Sequence, residues 1–203
     1  MFILSYPRAG SNFLHYCIKE ITGIDIGKTH AQNKEFWSET QSGKLIFIIR
    51  NYKESIPRQT NAYDFGEKLK SQLSNFRTEC DIHHFDYISP LDYYDKYQGE
   101  KIIIYYEDFV INTEDNLLKV IGFINGDIKK IGDFIGKLDS HKKKSAEIYN
   151  SLVPGGCKSI NGKLVDINFH SKKMDNNTKN KIDSYISEKY KNLFDKYLSR
   201  YSE

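Results

Sequence analysis

The chain has no CxxC pair. Its three cysteines, Cys17, Cys80 and Cys157, lie far apart. Neither a zinc site nor a disulfide framework is expected, and a reducing compartment suits it. No apolar run approaches the ~18–20 residues that span a bilayer. Met1 to Leu4 is too short for a secretory leader and runs straight into Ser5-Tyr6-Pro7-Arg8. These absences set the expectation of a cytoplasmic protein, or of a domain cut from a longer one. There is no large charge excess either. The formal net charge is +3, which does not suit a general nucleic-acid coat but leaves room for a local basic pocket. Internal repeats and low-complexity linkers are also missing. The 203 residues therefore read as one domain, residues 1–203.

What is present suits a globular fold: 39% hydrophobic and 28% charged residues. Phe2-Ile3-Leu4-Ser5-Tyr6 reads as a short buried strand. A turn follows, and Phe13 to Thr22 has helical spacing, closed by Gly23. Lys44 to Arg50 and Lys101 to Tyr106 read as two more buried strands. Their apolar runs do not alternate, which suits a parallel sheet covered on both faces. Phe65 to Tyr97 is mixed and mostly helical, with a break expected near Ser89-Pro90. Helical patterns follow at Thr113 to Ile124, Asp127 to Leu138 and Asn176 to Tyr201. Strands alternating with helices predict an α/β domain of three layers, α/β/α, around a central parallel sheet.

The turn Pro7-Arg8-Ala9-Gly10-Ser11-Asn12 lies between the first strand and its helix. In α/β folds ligands bind at the carboxyl ends of the strands. The open N–H groups and positive dipole end of a helix favour an anion there. Gly10 permits close backbone approach, Arg8 adds a charge, and Ser11 and Asn12 add short polar groups. The loop suits phosphate or sulfate. An ordinary strand–helix turn with a surface Arg fits the same residues. A Walker loop, GxxxxGK[ST], is not present.

Ser5-Tyr6-Pro7-Arg8-Ala9-Gly10-Ser11-Asn12-Phe13-Leu14 resembles the 5'-phosphosulfate loop of sulfotransferases, approximately [ST]YP[KR]SG[TN]TWL. Ala9 stands for the usual Ser and Phe13 for the usual Trp. Ile48-Ile49-Arg50-Asn51-Tyr52-Lys53-Glu54 resembles the family's 3'-phosphate strand end. Arg50 matches its Arg, and Arg58 stands where the family has a Ser. Gly27-Lys28-Thr29-His30-Ala31 resembles the KTH segment that carries the family's general base, although the Pro that follows there is missing. Tyr105-Tyr106-Glu107-Asp108-Phe109 resembles its YED segment, and Leu193 to Tyr201 its closing helix. Asp139-Ser140-His141 stands where the family has a segment that meets adenine. The family's RKGxxGDWK is missing. Gly155-Gly156-Cys157-Lys158 and Asn161-Gly162-Lys163 occupy that region without aligning to it.

The resemblance implies a P-loop-nucleotide-hydrolase-like fold and a sulfuryl donor, 3'-phosphoadenosine 5'-phosphosulfate (PAPS). The product would be adenosine 3',5'-bisphosphate (PAP). It implies nucleotide contacts at Arg8, Ala9, Gly10, Ser11, Asn12, Phe13, Arg50, Arg58, Ser140 and His141. It makes His30 the base, with Arg8 and Lys28 neutralising the leaving phosphate in place of a metal ion. Glu107 and Asp108 read as structural carboxylates that cap a helix or tether an Arg. The acceptor would be a hydroxyl or amine of a small molecule or sugar. Phe36-Trp37 and Asp81 to Tyr97 are candidates for its wall. No nucleic acid or membrane partner is expected. Two alternatives remain open from the sequence. One is a catalytically inactive nucleotide-binding or interaction module of the same fold. The other is a small-molecule kinase, which would need the Walker Lys and a metal-holding acid. His15, His83-His84 and His170 read as structural or local, and Lys142-Lys143-Lys144 as a solvated run.

Overall fold

A computed structural model describes residues 1–30, 43–60, 64–73, 86–152 and 174–202, with the side chains of Arg58, Thr60 and residues 149–152 outside that description. The first strand, β1 (Phe2–Ser5), is followed by helix α1 (Ser11–Thr22) and a short strand β2 (Gly27–Thr29). Strand β3 (Leu45–Ile49) leads into α2 (Tyr52–Thr60), α3 (Glu67–Leu73) and α4 (Ile88–Lys96). Strand β4 (Lys101–Tyr105) passes directly into α5 (Tyr106–Ile111) and α6 (Thr113–Phe123). Then come α7 (Ile131–Ile135), α8 (Leu138–Leu152) and α9 (Asn176–Lys189).

The four strands are all parallel, in the order β2-β1-β3-β4. Side chains alternate across a strand. Phe2, Leu4, Leu45, Phe47 and Ile49 therefore face one layer, with Leu69, Leu73, Leu91, Ile182 and Ile186. Ile3, Ile46, Ile48 and Ile104 face the other, with Leu14, Ile18, Ile21, Leu117 and Ile121. β1 and β3, covered on both faces, thus need apolar residues at consecutive positions, which is why they show no polar alternation. Helices cover both faces, giving the three layers expected. No helix among the described residues is long and apolar enough to cross a membrane.

Strand order decides where ligands can sit. From β1 the chain moves outward to β2, then returns past β1 to β3. The direction of winding reverses between β1 and β3, so the loops leaving their carboxyl ends diverge and leave a crevice. Those loops begin at Tyr6 and at Arg50.

Several elements differ from the sequence reading. β2 was not expected as a strand. Its three residues are Gly, Lys and Thr, largely exposed, and pairing with β1 sets them in the sheet: Phe2 with Gly27, Ile3 with Lys28, Leu4 with Thr29. The boundary expected near Ser89-Pro90 is a helix start: α4 begins at Ile88, with Ser89 and Pro90 in its first turn. Asp86 accepts from the Ser89 N–H and hydroxyl, both at 2.7 Å, and proline is tolerated in a first helical turn. Residues 138–152 form a helix, with Lys142, Lys143 and Lys144 on its exposed side. The C-terminal pattern is not one helix. It breaks at Tyr190 (φ −130°, ψ 41°) and continues as short turns, including a π-helical turn at Phe194–Leu198. The break lets Leu193, Phe194, Tyr197, Leu198 and Tyr201 all reach the core.

Candidate functional site

The loop after β1 has an unusual backbone. Arg8 has φ +67° and Gly10 φ +85°. Left-handed geometry costs a non-glycine residue roughly 1–2 kcal/mol, so Arg8 is held there by its surroundings. Gly10 is required for a second reason. A Cβ on it would stand 2.5 Å from Cδ2 of Tyr106. The Gly10 carbonyl accepts from the N–H groups of Phe13 (3.1 Å) and Leu14 (3.2 Å) and so opens α1. The N–H groups before these have no acceptor within the helix, as at any helix start. Ala9 and Ser11 are buried and Arg8 is exposed. The loop therefore presents a cation and a helix N-terminus to the crevice.

Arg50, at the end of β3, lies across the crevice from that loop. Its Nη1 donates to the Arg8 carbonyl at 3.3 Å, and its guanidinium lies 4.2 Å from the centre of the Tyr106 ring. Tyr106 thus touches both banks, Gly10 on one side and Arg50 on the other. The sequence reading placed Tyr106 in a motif but gave it no role. Its position directly after a buried strand was the available signal. Arg58 lies in α2, and its side chain falls outside the described residues. Of the two acids after Tyr106, Asp108 forms a paired contact with Arg200, at 2.7 and 2.9 Å. Glu107 accepts from the Asn51 N–H at 3.0 Å and from the Tyr201 hydroxyl at 2.9 Å. Both acids tether neighbouring elements.

Edge strand β2 brings the third group. Lys28 donates to the Asn12 side-chain carbonyl at the start of α1, and burial pulls its pKa down. His30 follows β2 and lies partly buried under the loop. Its Nδ1 is 2.9 Å from the Ser5 carbonyl and 3.0 Å from the Ser5 hydroxyl. Donation to the carbonyl selects the Nδ1–H tautomer and leaves the acceptor lone pair on Nε2. Burial lowers the His30 pKa to about 4. The Ser5 carbonyl opposes that shift, and the nearby positive charges of Lys28 and Arg8 add to it. The imidazole is therefore neutral at pH 7, as a proton acceptor must be.

Phe13 packs near Phe109 (5.8 Å) and stacks with Tyr16 (6.4 Å, 15°). His141, on α8, lies flat on Phe134 at 4.0 Å and bonds to the Tyr16 hydroxyl at 2.9 Å. Phe13 and His141 thus belong to one aromatic row along α1, with Tyr16 between them, while Ser140 is exposed on α8. His15 lies 3.0 Å from both Asp25 and the Ile26 carbonyl. Among the described residues no group of three or more His, Cys, Asp or Glu is placed to hold a metal ion. His83-His84, His170, Phe36-Trp37 and the Gly155 to Lys163 region lie outside the described residues, as do residues 81–85; in the rest of the candidate acceptor wall, Tyr87, Ile88, Leu91, Tyr94 and Tyr97 are buried in the core instead.

The loop Arg8, Ala9, Gly10, Ser11 and Asn12 and the strand end Arg50 thus meet at the crevice between β1 and β3, while Lys28 and His30 reach the same loop from β2 on the other side of β1, through Asn12 and Ser5. Phe13 lies at the edge of the crevice, His141 one aromatic ring further out. The same architecture occurs in a solved structure of mouse sulfotransferase SULT7A1 complexed with PAP. The match has a TM-score of 0.59 at 16% sequence identity and covers 94% of this chain and 84% of that one. The fold of this chain is therefore that of a sulfotransferase. No family model and no curated protein matches the sequence.

Proposed function

We propose that this protein is a PAPS-dependent sulfotransferase acting on a hydroxyl or amine of a small-molecule or carbohydrate acceptor. One observation carries the reading. Arg8 and Lys28 lie around a helix N-terminus, Arg50 bonds to the carbonyl of that loop, and a neutral His30 sits beneath it. The likeness to a sulfotransferase fold supports it.

The donor set fits the nucleotide. Two guanidinium groups and an ammonium, in separate places, suit phosphates at two positions of one molecule. PAPS, when bound, supplies an electrophilic sulfuryl group and a phosphate leaving group. Arg8, Lys28 and the start of α1 bind the anionic end and neutralise the charge that develops there. Arg50 reads the 3'-phosphate. Phe13 offers an aromatic face to adenine. His30 takes the acceptor proton at Nε2, while Ser5 holds its other nitrogen and so its orientation. Cations fixed by the fold do here what a metal ion does in phosphoryl transfer.

The test is calorimetry with adenosine 3',5'-bisphosphate, adenosine 5'-phosphate and ATP with magnesium. The bisphosphate should bind most tightly. A lost charge-assisted contact at one phosphate should cost roughly 1.5–3 kcal/mol. Equal affinity for the bisphosphate and the 5'-phosphate would overturn the role of Arg50. Preference for ATP with magnesium would replace the reading with a kinase-like one.

A further inference from the structure

The peptide group between Arg50 and Asn51 is held on both sides by side chains from distant parts of the chain. The Tyr87 hydroxyl donates to the Arg50 carbonyl at 2.5 Å. Glu107 Oε1 accepts from the Asn51 N–H at 3.0 Å. These two atoms belong to one planar unit, so the two bonds together fix its tilt. Strand β3 ends one residue earlier, at Ile49, so the unit lies past the strand's end. The second Glu107 oxygen accepts from the Tyr201 hydroxyl at 2.9 Å. Tyr87 and Tyr201 both meet the ring of Tyr52 edge-on, at 5.7 Å and 75°, and at 6.1 Å and 88°. Tyr52 is fully buried and Tyr87 nearly so. The clamp therefore has a packed tyrosine backing.

Turning that peptide changes ψ of Arg50 and φ of Asn51. It would swing the guanidinium relative to the Arg8 carbonyl and the Tyr106 ring. A group that grips an anion must be held to within about 0.5 Å and 10–20° to keep its geometry. The Arg50 side chain is long, so small rotations of its backbone are amplified at its tip. Nothing in the proton-accepting half of the site uses Glu107, Tyr87 or Tyr201.

We propose that Glu107 and Tyr87 are positioning residues for recognition of the donor's 3'-phosphate, with Tyr201 orienting the Glu107 carboxylate. They set the Arg50–Asn51 peptide and so aim Arg50 into the crevice between β1 and β3. The inference rests on the reading of Arg50 as the 3'-phosphate contact. It adds that discrimination for that phosphate depends on groups that do not touch it. It also ties the C-terminal turn, through Tyr201, to nucleotide selectivity.

The experiment measures, by calorimetry, the ratio of affinities for adenosine 3',5'-bisphosphate and adenosine 5'-phosphate. It uses wild type, Glu107→Ala, Glu107→Gln, Tyr87→Phe and Tyr201→Phe. Glu107→Ala and Tyr87→Phe should lower the ratio on the order of tenfold, the scale of one lost hydrogen bond. Affinity for the 5'-phosphate alone should stay within about twofold, since its site is separate. Glu107→Gln keeps an acceptor for Asn51 and should restore most of the ratio. If Glu107→Ala does not fold, Tyr87→Phe and Tyr201→Phe, each lacking a single oxygen, carry the same test. A folded Tyr87→Phe with the wild-type ratio overturns the proposal. So does equal loss of both nucleotides, which would make the clamp a general support. A wild-type protein that binds the two nucleotides equally removes the reading of Arg50 itself, and the clamp's role with it.

Discussion

Gly10→Ala tests how tightly the loop, Tyr106 and Arg50 are coupled. The new methyl group would lie 2.5 and 2.7 Å from two carbons of the Tyr106 ring. The residue would also have to keep φ +85°. The backbone part should cost roughly 1–2 kcal/mol. The clash is with a ring packed between the loop and Arg50, so relief requires movement of an element that supports both. Overpacking of that kind costs roughly 1–3 kcal/mol. The sum is about 2–5 kcal/mol. With a urea m-value of roughly 2–3 kcal/mol per molar, the midpoint should fall by about 1–2 M. A second comparison separates the two parts. In a Tyr106→Ala background the clash is gone and only the backbone strain remains. Gly10→Ala should then cost about 1–2 kcal/mol, and the double-mutant coupling should equal the clash. Equal cost of Gly10→Ala with and without Tyr106 would refute the claim that the ring is wedged against the loop. A cost under about 0.5 kcal/mol would also refute the strain argument.

Further predictions concern individual groups. Arg8→Gly removes a left-handed non-glycine residue and should raise stability by up to about 1 kcal/mol, while weakening nucleotide binding; loss of both, in melting and calorimetry, would contradict the loop's assignment. His30 has a folded-state pKa of about 4 against an ordinary value of 6.5. An unfolded chain therefore binds a proton that the folded chain refuses between those values, so stability falls as pH drops from about 6.5 to 4, by up to about 3 kcal/mol. The stability difference between wild type and His30→Gln should shift in favour of the variant across that window, and a pH-independent difference would contradict the burial of His30. Asp183 pairs with Lys53 at 3.1 Å, with both side chains largely buried, and accepts from the Tyr52 hydroxyl. Asp183→Ala should cost about 3–5 kcal/mol in urea unfolding, whereas Arg200→Ala, which breaks a half-exposed pair with Asp108, should cost under about 1 kcal/mol.

The parts of the fold legible in the sequence were those with a strong local signal. β1 and β3 announced themselves as unbroken apolar runs because both faces are covered. Helix α1 was readable from Leu14, Cys17, Ile18 and Ile21 on one side and Gly23 at its end. β2 was not readable. Its residues carry no strand pattern, and its place in the sheet comes from pairing with β1. Helix α8 was missed because three consecutive lysines mask its apolar side. The loop at Arg8 to Asn12 could be named as a candidate anion site from local chemistry, and the strand end at Arg50 from its resemblance to a sulfotransferase motif. That they face each other follows from strand order, which local sequence does not contain. The same holds for the hold of Ser5 on His30, for Tyr106 between two loops, and for Tyr87 and Glu107 on one peptide. Each joins residues dozens of positions apart.

The proposed reaction is sulfuryl transfer at this site with His30 as the base. The most direct measurement follows a radiolabelled sulfuryl group from PAPS into a panel of sugars, phenols and amines. Wild type, His30→Ala and Arg50→Ala would be compared, each in the presence of EDTA. Wild type should label at least one class of acceptor and release adenosine 3',5'-bisphosphate in equal amount. His30→Ala should bind the donor as wild type does but turn over about 10²–10⁴-fold more slowly, the scale of a lost general base. Arg50→Ala should instead weaken donor binding first. No labelling by a wild-type protein that binds the bisphosphate would contradict the account, as would a His30→Ala variant that turns over at the wild-type rate with both substrates saturating.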